Sequence, residues 1–516
     1  MNTIVKIFAL SLLPGIFACS EQLTEDPTVF YSEETVFGTE AGVETAVNGI
    51  YSELGAGNYY GTEVHNLLGP VSGKFFSTQR AQVDATGLNT TSANVSVANI
   101  WTQAYATVNA ANTVIANLEN NTTLTNRDAA IGQAYFLRGL AYFDLLRLFG
   151  DVPLRLAPTD IESIHAPRTA RARVIERVVE DFELAKELLP PAGQLAPGRP
   201  GPLAANVYLA KLYVTLAGED GGDASYWARA KAELEPVIAS GTYALTPTYA
   251  ELFVPGNENT VESIFELQYG QTGGQRNSDV VRLYTPSNSL FNPPSVVTFG
   301  RLRPNKETFD AHVAQYPDDP RIAATFIFDE YQKQGGGKQN IYPKKDNGKQ
   351  GFALIRKWLD PSYNGTTTNR NQILLRYADV LLLMAEIENE LNGPEAAYPF
   401  VNQVLARARD TDGDDAADVD QPADYADLSQ DEFRQRILAE RRYELLAEGH
   451  SWYDTRRRGY QYFLQEVVET HNTHPTFDPT TDFVYPDTER NLLLPIPLVE
   501  IAGNREIGPA DQNPGY

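Results

Sequence analysis

A chain of 516 residues with a formal net charge of −25 is long enough for a large core and ill suited to a phosphate backbone, so nucleic-acid binding is excluded as a leading function. Its single cysteine, Cys19, rules out an intramolecular disulfide. After the N-terminal leader no stretch reaches the roughly 18 uninterrupted apolar residues of a membrane span. Leu374–Ile387 comes nearest and is broken by Arg376 and Asp379.

In chain order, Met1–Ala18 joins Lys6 to the apolar run Ile7–Leu13, then Pro14, Gly15 and Ile16-Phe17-Ala18. That pattern predicts a secretory signal peptide over residues 1–18. A sole cysteine directly after a small residue predicts a lipoprotein cleavage site with lipidation at Cys19, although Phe17 is bulkier than the usual residue there. Several acyl chains on one residue exceed the two-signal threshold for stable anchoring, so the mature chain is expected on a membrane without crossing it. The alternative is an ordinary signal peptide beside an unrelated cysteine. Ser20–Phe37 is polar, contains proline and reads as a tether.

Thr39–Leu54 carries Val43, Val47 and Ile50 at helical spacing. Gly55–Ala98, rich in Gly, Ser, Thr and Asn, reads as a long loop region of the kind that is functional or disordered. Asn99–Leu118 is again helical, and Ile131–Leu154 (IGQAYFLRGLAYFDLLRLFGDVPL) is apolar on nearly all sides. Such a helix must be surrounded by others, so the chain is organised around it. Gly150 is placed to stop it and Pro153 to prevent its resumption. Arg168–Leu189, Pro202–Ala217 and Tyr226–Ser240 follow as amphipathic helices. Thr260–Gly270 alternates like a strand, and Gln271–Gln350 is irregular with a few strands expected. Asn371–Leu391 and Pro394–Arg409 form a helix pair, with Pro399 expected to kink or delay its second member. Asp431–Glu448 closes the helical series. Helix pairs repeated along the chain predict a mostly α fold, a tetratricopeptide-like scaffold with long irregular loops and a few short strands.

Five stretches also carry a family resemblance. FLRGLAYFDLLRLFGDVPL (Phe136–Leu154), RYADVLLLMAEIENELNG (Arg376–Gly393), RILAERRYELLAEGHSWYDTRRRG (Arg436–Gly459), LLPIPLVEI (Leu493–Ile501) and QNPGY (Gln512–Tyr516) stand in the order of the SusD/RagB family, the surface nutrient-binding lipoproteins of the Bacteroidetes. The chain resembles that family over most of its length and only loosely over about residues 271–350. The resemblance implies a helix-pair scaffold with loops mounted on it. It divides the chain after the tether (19–37) into an N-terminal helical part, 38–270, and a C-terminal part with variable ligand loops, 271–516. It also implies an outer-membrane, cell-surface location and a SusC-like TonB-dependent transporter as partner.

No compact catalytic set stands out. Gly449-His450-Ser451-Trp452-Tyr453 lacks the second glycine of a nucleophile elbow, and His450, Trp452, Asp454 and Arg456 read as locking a turn. His471 and His474 would share a metal only if helical, and their neighbours argue for a loop with two exposed histidines. Gly335-Gly336-Gly337-Lys338 lacks the spacing of a phosphate loop and reads as a turn. In the acid run 410–420, Asp410, Asp412 and Asp414 are the candidate ligands for Ca²⁺, weighed against a solvated acidic loop. No other cofactor is called for. A sugar site needs aromatic faces for the apolar side of the ring and planar polar groups for hydroxyls. The loop regions offer Phe75, Phe76, Gln79 and Arg80, then Tyr284, Phe291 and Arg301, then Trp358, Tyr363, Asn364 and Asn369. Trp358, one of four tryptophans, is the first choice, and each is weighed against simple packing. The expectation is a non-enzymatic protein that binds oligosaccharide and delivers it to the transporter. Peptide cargo, a surface glycoside hydrolase and a free periplasmic scaffold are the alternatives.

Overall fold

The computed structural model describes residues 33–270, 278–341, 345–346, 349–350 and 353–516. The expected signal peptide, Cys19 and most of the expected tether lie outside them. The end of the expected tether does not: Glu33–Phe37 is a short helix with Phe37 buried.

Helices dominate, and the central one runs Arg127–Phe149. From Ala130 to Phe149 every side chain is buried except Tyr135 and Arg147, which are half-buried, as an apolar circumference requires. Gly150 ends it at φ +74°, a conformation that costs glycine little. Val95–Leu118 packs on one side and Arg171–Leu188 on the other. Pro202–Gly218 and Ser225–Ala239 continue the series as an adjacent pair. Small residues permit the close approach: a Cβ on Gly139 would stand 3.2 Å from Asp181 Cβ. Asn94 caps the Val95 helix by accepting from Ser96 and Val97 N–H, and Thr39 caps Glu40–Leu54 by accepting from Gly42 N–H.

Tyr377–Asn392, Pro394–Arg409 and Gln430–Leu445 pack together as a second group, the last opened by a Ser429–Glu432 capping box. Pro399 does not delay its helix, which runs from Pro394, because it falls in the second turn, where only the bond to Glu395 is forgone.

Three expectations change. Gly55–Ala98 is largely ordered secondary structure: Glu63–Val71 is a helix, Phe75–Ser77 a strand and Val83–Thr86 a helical turn. Its buried Val64, Leu67, Leu68 and Val71 supply the apolar face that composition masked. Gln372–Arg376 is a strand, antiparallel to Ser263–Leu267, and the helix starts only at Tyr377. Pairing with an existing strand edge overrides the helical pattern of this segment. Residues 278–341 hold helices Val280–Tyr284, Lys306–Gln315 and Pro320–Thr325 besides short strands.

Candidate ligand-binding face

The face is built on a two-stranded sheet. Phe75–Ser77 pairs antiparallel with Leu302–Pro304, Phe76 opposite Arg303, and the pairing extends as Thr78 N–H donates to Arg301 O at 2.9 Å. Alternation sends Phe75 and Leu302 inward and leaves Phe76, Arg301 and Arg303 half-buried on the other side. Gln79, half-buried, and Arg80, exposed, follow directly, so strand pairing joins two of the three expected loop groups.

Behind the sheet lie the aromatics expected to contact ligand. Phe75, Tyr284 and Trp358 belong to one buried cluster with Leu302 and Ile355. Trp358 is 7% exposed, stacks at 6.2 Å on Tyr284 and donates its indole N–H to Ala447 O at 2.9 Å. His65 stands edge-on to Tyr284 and Trp358, and burial pushes its pKa down to about 3, so it is neutral. Tyr363 is fully buried, its hydroxyl 3.2 Å from Asp279 Oδ1. These four are core residues. The loop after Trp358 folds back because Asp360 accepts from Ser362 and Thr368. Asn364 and Asn369 remain exposed on it.

The outward groups are different ones. Phe299 carries two guanidinium groups against its ring, Arg301 Cζ at 3.7 Å and Arg282 Cζ at 4.5 Å from its centroid. Backbone bonds hold the stack: Phe299 N–H donates to Arg282 O and Arg301 N–H to Leu283 O. At Gly300, φ +51°, an added Cβ would stand 3.0 Å from Pro286 Cα and from Leu354 Cδ2, closer than a side chain tolerates. Arg303 Nε donates to Gly300 O, and Arg356 lies 5.5 Å from the half-buried Phe291 ring. The intervening loop is pinned by Asn292 Nδ2 on Pro286 O and by Gln334 Nε2 on three loop carbonyls. It lifts Leu290 and Val297 into solvent, 65% and 59% exposed. Of the residues on this candidate face, the sequence alone pointed to Phe76, Gln79, Arg80, Phe291 and Arg301 and not to Arg282, Phe299, Arg303 and Arg356. A usable signal was the absence of any acid between Asp279 and Glu307.

The other candidates resolve locally. His471 sits at the end of a helical run, stacked on Tyr485, with Nδ1 2.7 Å from Glu307. His474 Nε2 is 3.2 Å from Asp310. Each histidine thus has its own carboxylate, and neither is fully exposed. Gly335–Gly337 is the tip of a hairpin, all three at positive φ. In the acid run the oxygens that converge within 4.8 Å belong to Asp410, Asp412 and Asp418; Asp414 instead accepts from Ala416 N–H. Asp410 is buried and accepts from Gly413 and Asp415 N–H, the self-capped geometry of an acidic turn.

Residues 261–516 match the SusD family, and residues 25–214 match the family described as starch-binding associating with outer membrane. The chain belongs to the SusD/RagB family. Two SusD-like proteins of Formosa agariphila are 29% and 28% identical to it, over 99% and 100% of this chain and 99% of each of theirs. Among solved structures, a SusD homologue from Bacteroides thetaiotaomicron superposes with a TM-score of 0.79 at 21% identity, covering 94% of this chain and 99% of the other. A SusD-like protein described as laminarin-binding superposes with a TM-score of 0.70 at 20% identity, over 93% and 100% of the two chains. The fold is that of the SusD-like helical scaffold.

In this SusD-family chain the matched motifs hold the scaffold together. Asp144 accepts from the hydroxyls of Tyr59, Tyr60 and Tyr453. Arg376 pairs with Glu262, Glu444 and Glu448, all buried, and Arg321 and Arg407 also reach Glu444. Burial alone would raise the Glu444 pKa, but Arg407, Arg376 and Arg321 hold it at about 2. Arg456 donates to the carbonyls of Val71, Ser72 and Asn491 and stacks 3.9 Å from Trp452, which makes the predicted turn a lock. The terminal motif is a clamp: Asn513 Nδ2 donates to Phe149 O and Leu494 O, and Tyr516 hydroxyl to Leu493 O. Among the described residues no helix is long and apolar enough to cross a membrane.

Proposed function

We propose that this protein is a lipid-anchored, cell-surface carbohydrate-binding protein without catalysis of its own, which passes oligosaccharide to a SusC-like TonB-dependent outer-membrane transporter. The observation that carries the reading is the face around Phe299 and Phe291. Aromatic rings, arginines and exposed apolar side chains stand on a pinned loop, the mixture that a sugar ring and its hydroxyls require. Family membership supports it, as do relatives described as glycan-binding. The anchor rests on Cys19 and the leader before it. Capture would proceed by ring stacking and hydrogen bonding, with the helical body providing a surface for the transporter.

The test is calorimetric titration of the detergent-purified full chain with an oligosaccharide panel and a panel of short peptides. Saccharide binding supports the reading, and binding to peptides alone replaces it with peptide cargo. Release of reducing ends from incubated polysaccharide replaces it with a hydrolase. Cys19→Ala is expected to release the protein from membranes; retention in the membrane fraction would refute the anchor.

A further inference from the structure

Arginines on this face lack the partners that the rest of the molecule provides. The chain holds 67 acidic residues in 516, about one in eight, yet none lies between Asp279 and Glu307 or between Glu63 and Asp84. These are the two segments whose strands pair to make the face. Arg80, Arg301, Arg303 and Arg356 form no ion pair among the described residues, and Arg282 approaches only Asp279, at 4.0 Å. Arg282 Nε is buried without a hydrogen-bond partner. Arg303 and Arg356 are partly withdrawn from water, and burial lowers the pKa of both guanidinium groups. Two cations centred 4.5 and 3.7 Å from one phenyl centroid repel each other across a short gap, and the ring offsets only part of that repulsion. The arrangement remains short of negative charge in a protein that elsewhere has it in excess.

Resting on the reading of this face as a saccharide site, we propose that its ligand is an anionic oligosaccharide, one that carries carboxylate or sulfate-ester groups along its chain. The guanidinium fork of Arg301 or Arg282 matches such a group with two parallel N–H donors, while Phe291 and the Leu290–Val297 loop meet the apolar side of the sugar. Local positive charge also lets an anion approach a body of net charge −25.

The test titrates the full chain in detergent with galacturonate oligomers, sulfated oligosaccharides and neutral gluco-oligosaccharides of matched length, alongside inorganic sulfate alone. The expected result is binding of one charged series at least about tenfold tighter than the neutral one, weakening as salt rises from about 50 to about 500 mM. Arg301→Ala and Arg282→Ala should each weaken it by about tenfold with an unchanged melting temperature, and Arg301→Lys should recover only part. Equal binding of charged and neutral series, or charged binding indifferent to both alanine variants, overturns the anionic assignment while leaving the saccharide reading intact. Response to inorganic sulfate equal to that of the oligomers would reduce the face to a simple anion site, or to a docking patch for an acidic protein surface, and overturns the proposal. Binding of no saccharide at all overturns both readings together.

Discussion

In the helical scaffold Arg376 is buried against Glu262, Glu444 and Glu448, whereas on the candidate face Arg301 lies 3.7 Å from a phenyl centroid with no carboxylate partner among the described residues. Arg321, Arg407, Arg441 and Arg457 follow the first pattern. Arg80, Arg303 and Arg356 follow the second. The same side chain is a structural ion where the fold supplies its anion and, under the proposal above, a recognition group where the anion is left to the ligand. Removal of a buried arginine strands a charge, while removal of a surface one strands nothing.

The largest expected effect is therefore in the scaffold. Arg376→Ala leaves three buried glutamates short of a partner and should destabilise the protein by about 3–5 kcal/mol, read by denaturant unfolding. A change within experimental error would mean that the network is not coupled to folding. Trp358→Ala should cost a similar amount, about 3–5 kcal/mol, because it empties part of a core. A variant that keeps its stability and loses only saccharide affinity would return Trp358 to the ligand site.

Acid should act on the same network. Glu444 is held at about 2 by three arginines, below its usual value, so its contribution is complete at neutral pH. It declines as pH falls from about 4.5 towards 2, and Asp454, held at about 2 by Arg441 and Arg457 against the upward push of burial, declines with it. Denaturation midpoints measured over that window should fall steeply in the natural protein and less steeply in Glu444→Gln. Smallest of all is the stability effect on the face: Arg301→Ala should stay within about 0.5 kcal/mol of the natural protein. A loss as large as that of Arg376→Ala would erase the distinction between the two regions.

The helices were legible wherever apolar spacing was strong, and the central helix above all, since a segment apolar on every side has only one place to go. The turn at His450–Arg456 was also read as structural, and there Arg456 stacks on Trp452 while Asp454 pairs with Arg457 just beyond the turn. The candidate face was legible only in part. Phe76, Gln79, Arg80 and Arg301 were chosen as loop residues, but Arg282, Phe299 and Arg303 were not, because only the folded chain sets Arg303 opposite Phe76 in a strand pair and Phe299 against Arg282 through backbone bonds. Trp358 misled for the same reason: its exposure depends on Ala447 and Tyr284, which only folding brings to it.

What this sequence determined alone is the family and the helical scaffold, both carried by local patterns of a few turns or a few residues. The tertiary structure decided which aromatics are core, which arginines keep a partner and which surface presents them. Burial and charge pairing belong to contacts between distant segments, and no window along the chain contains them.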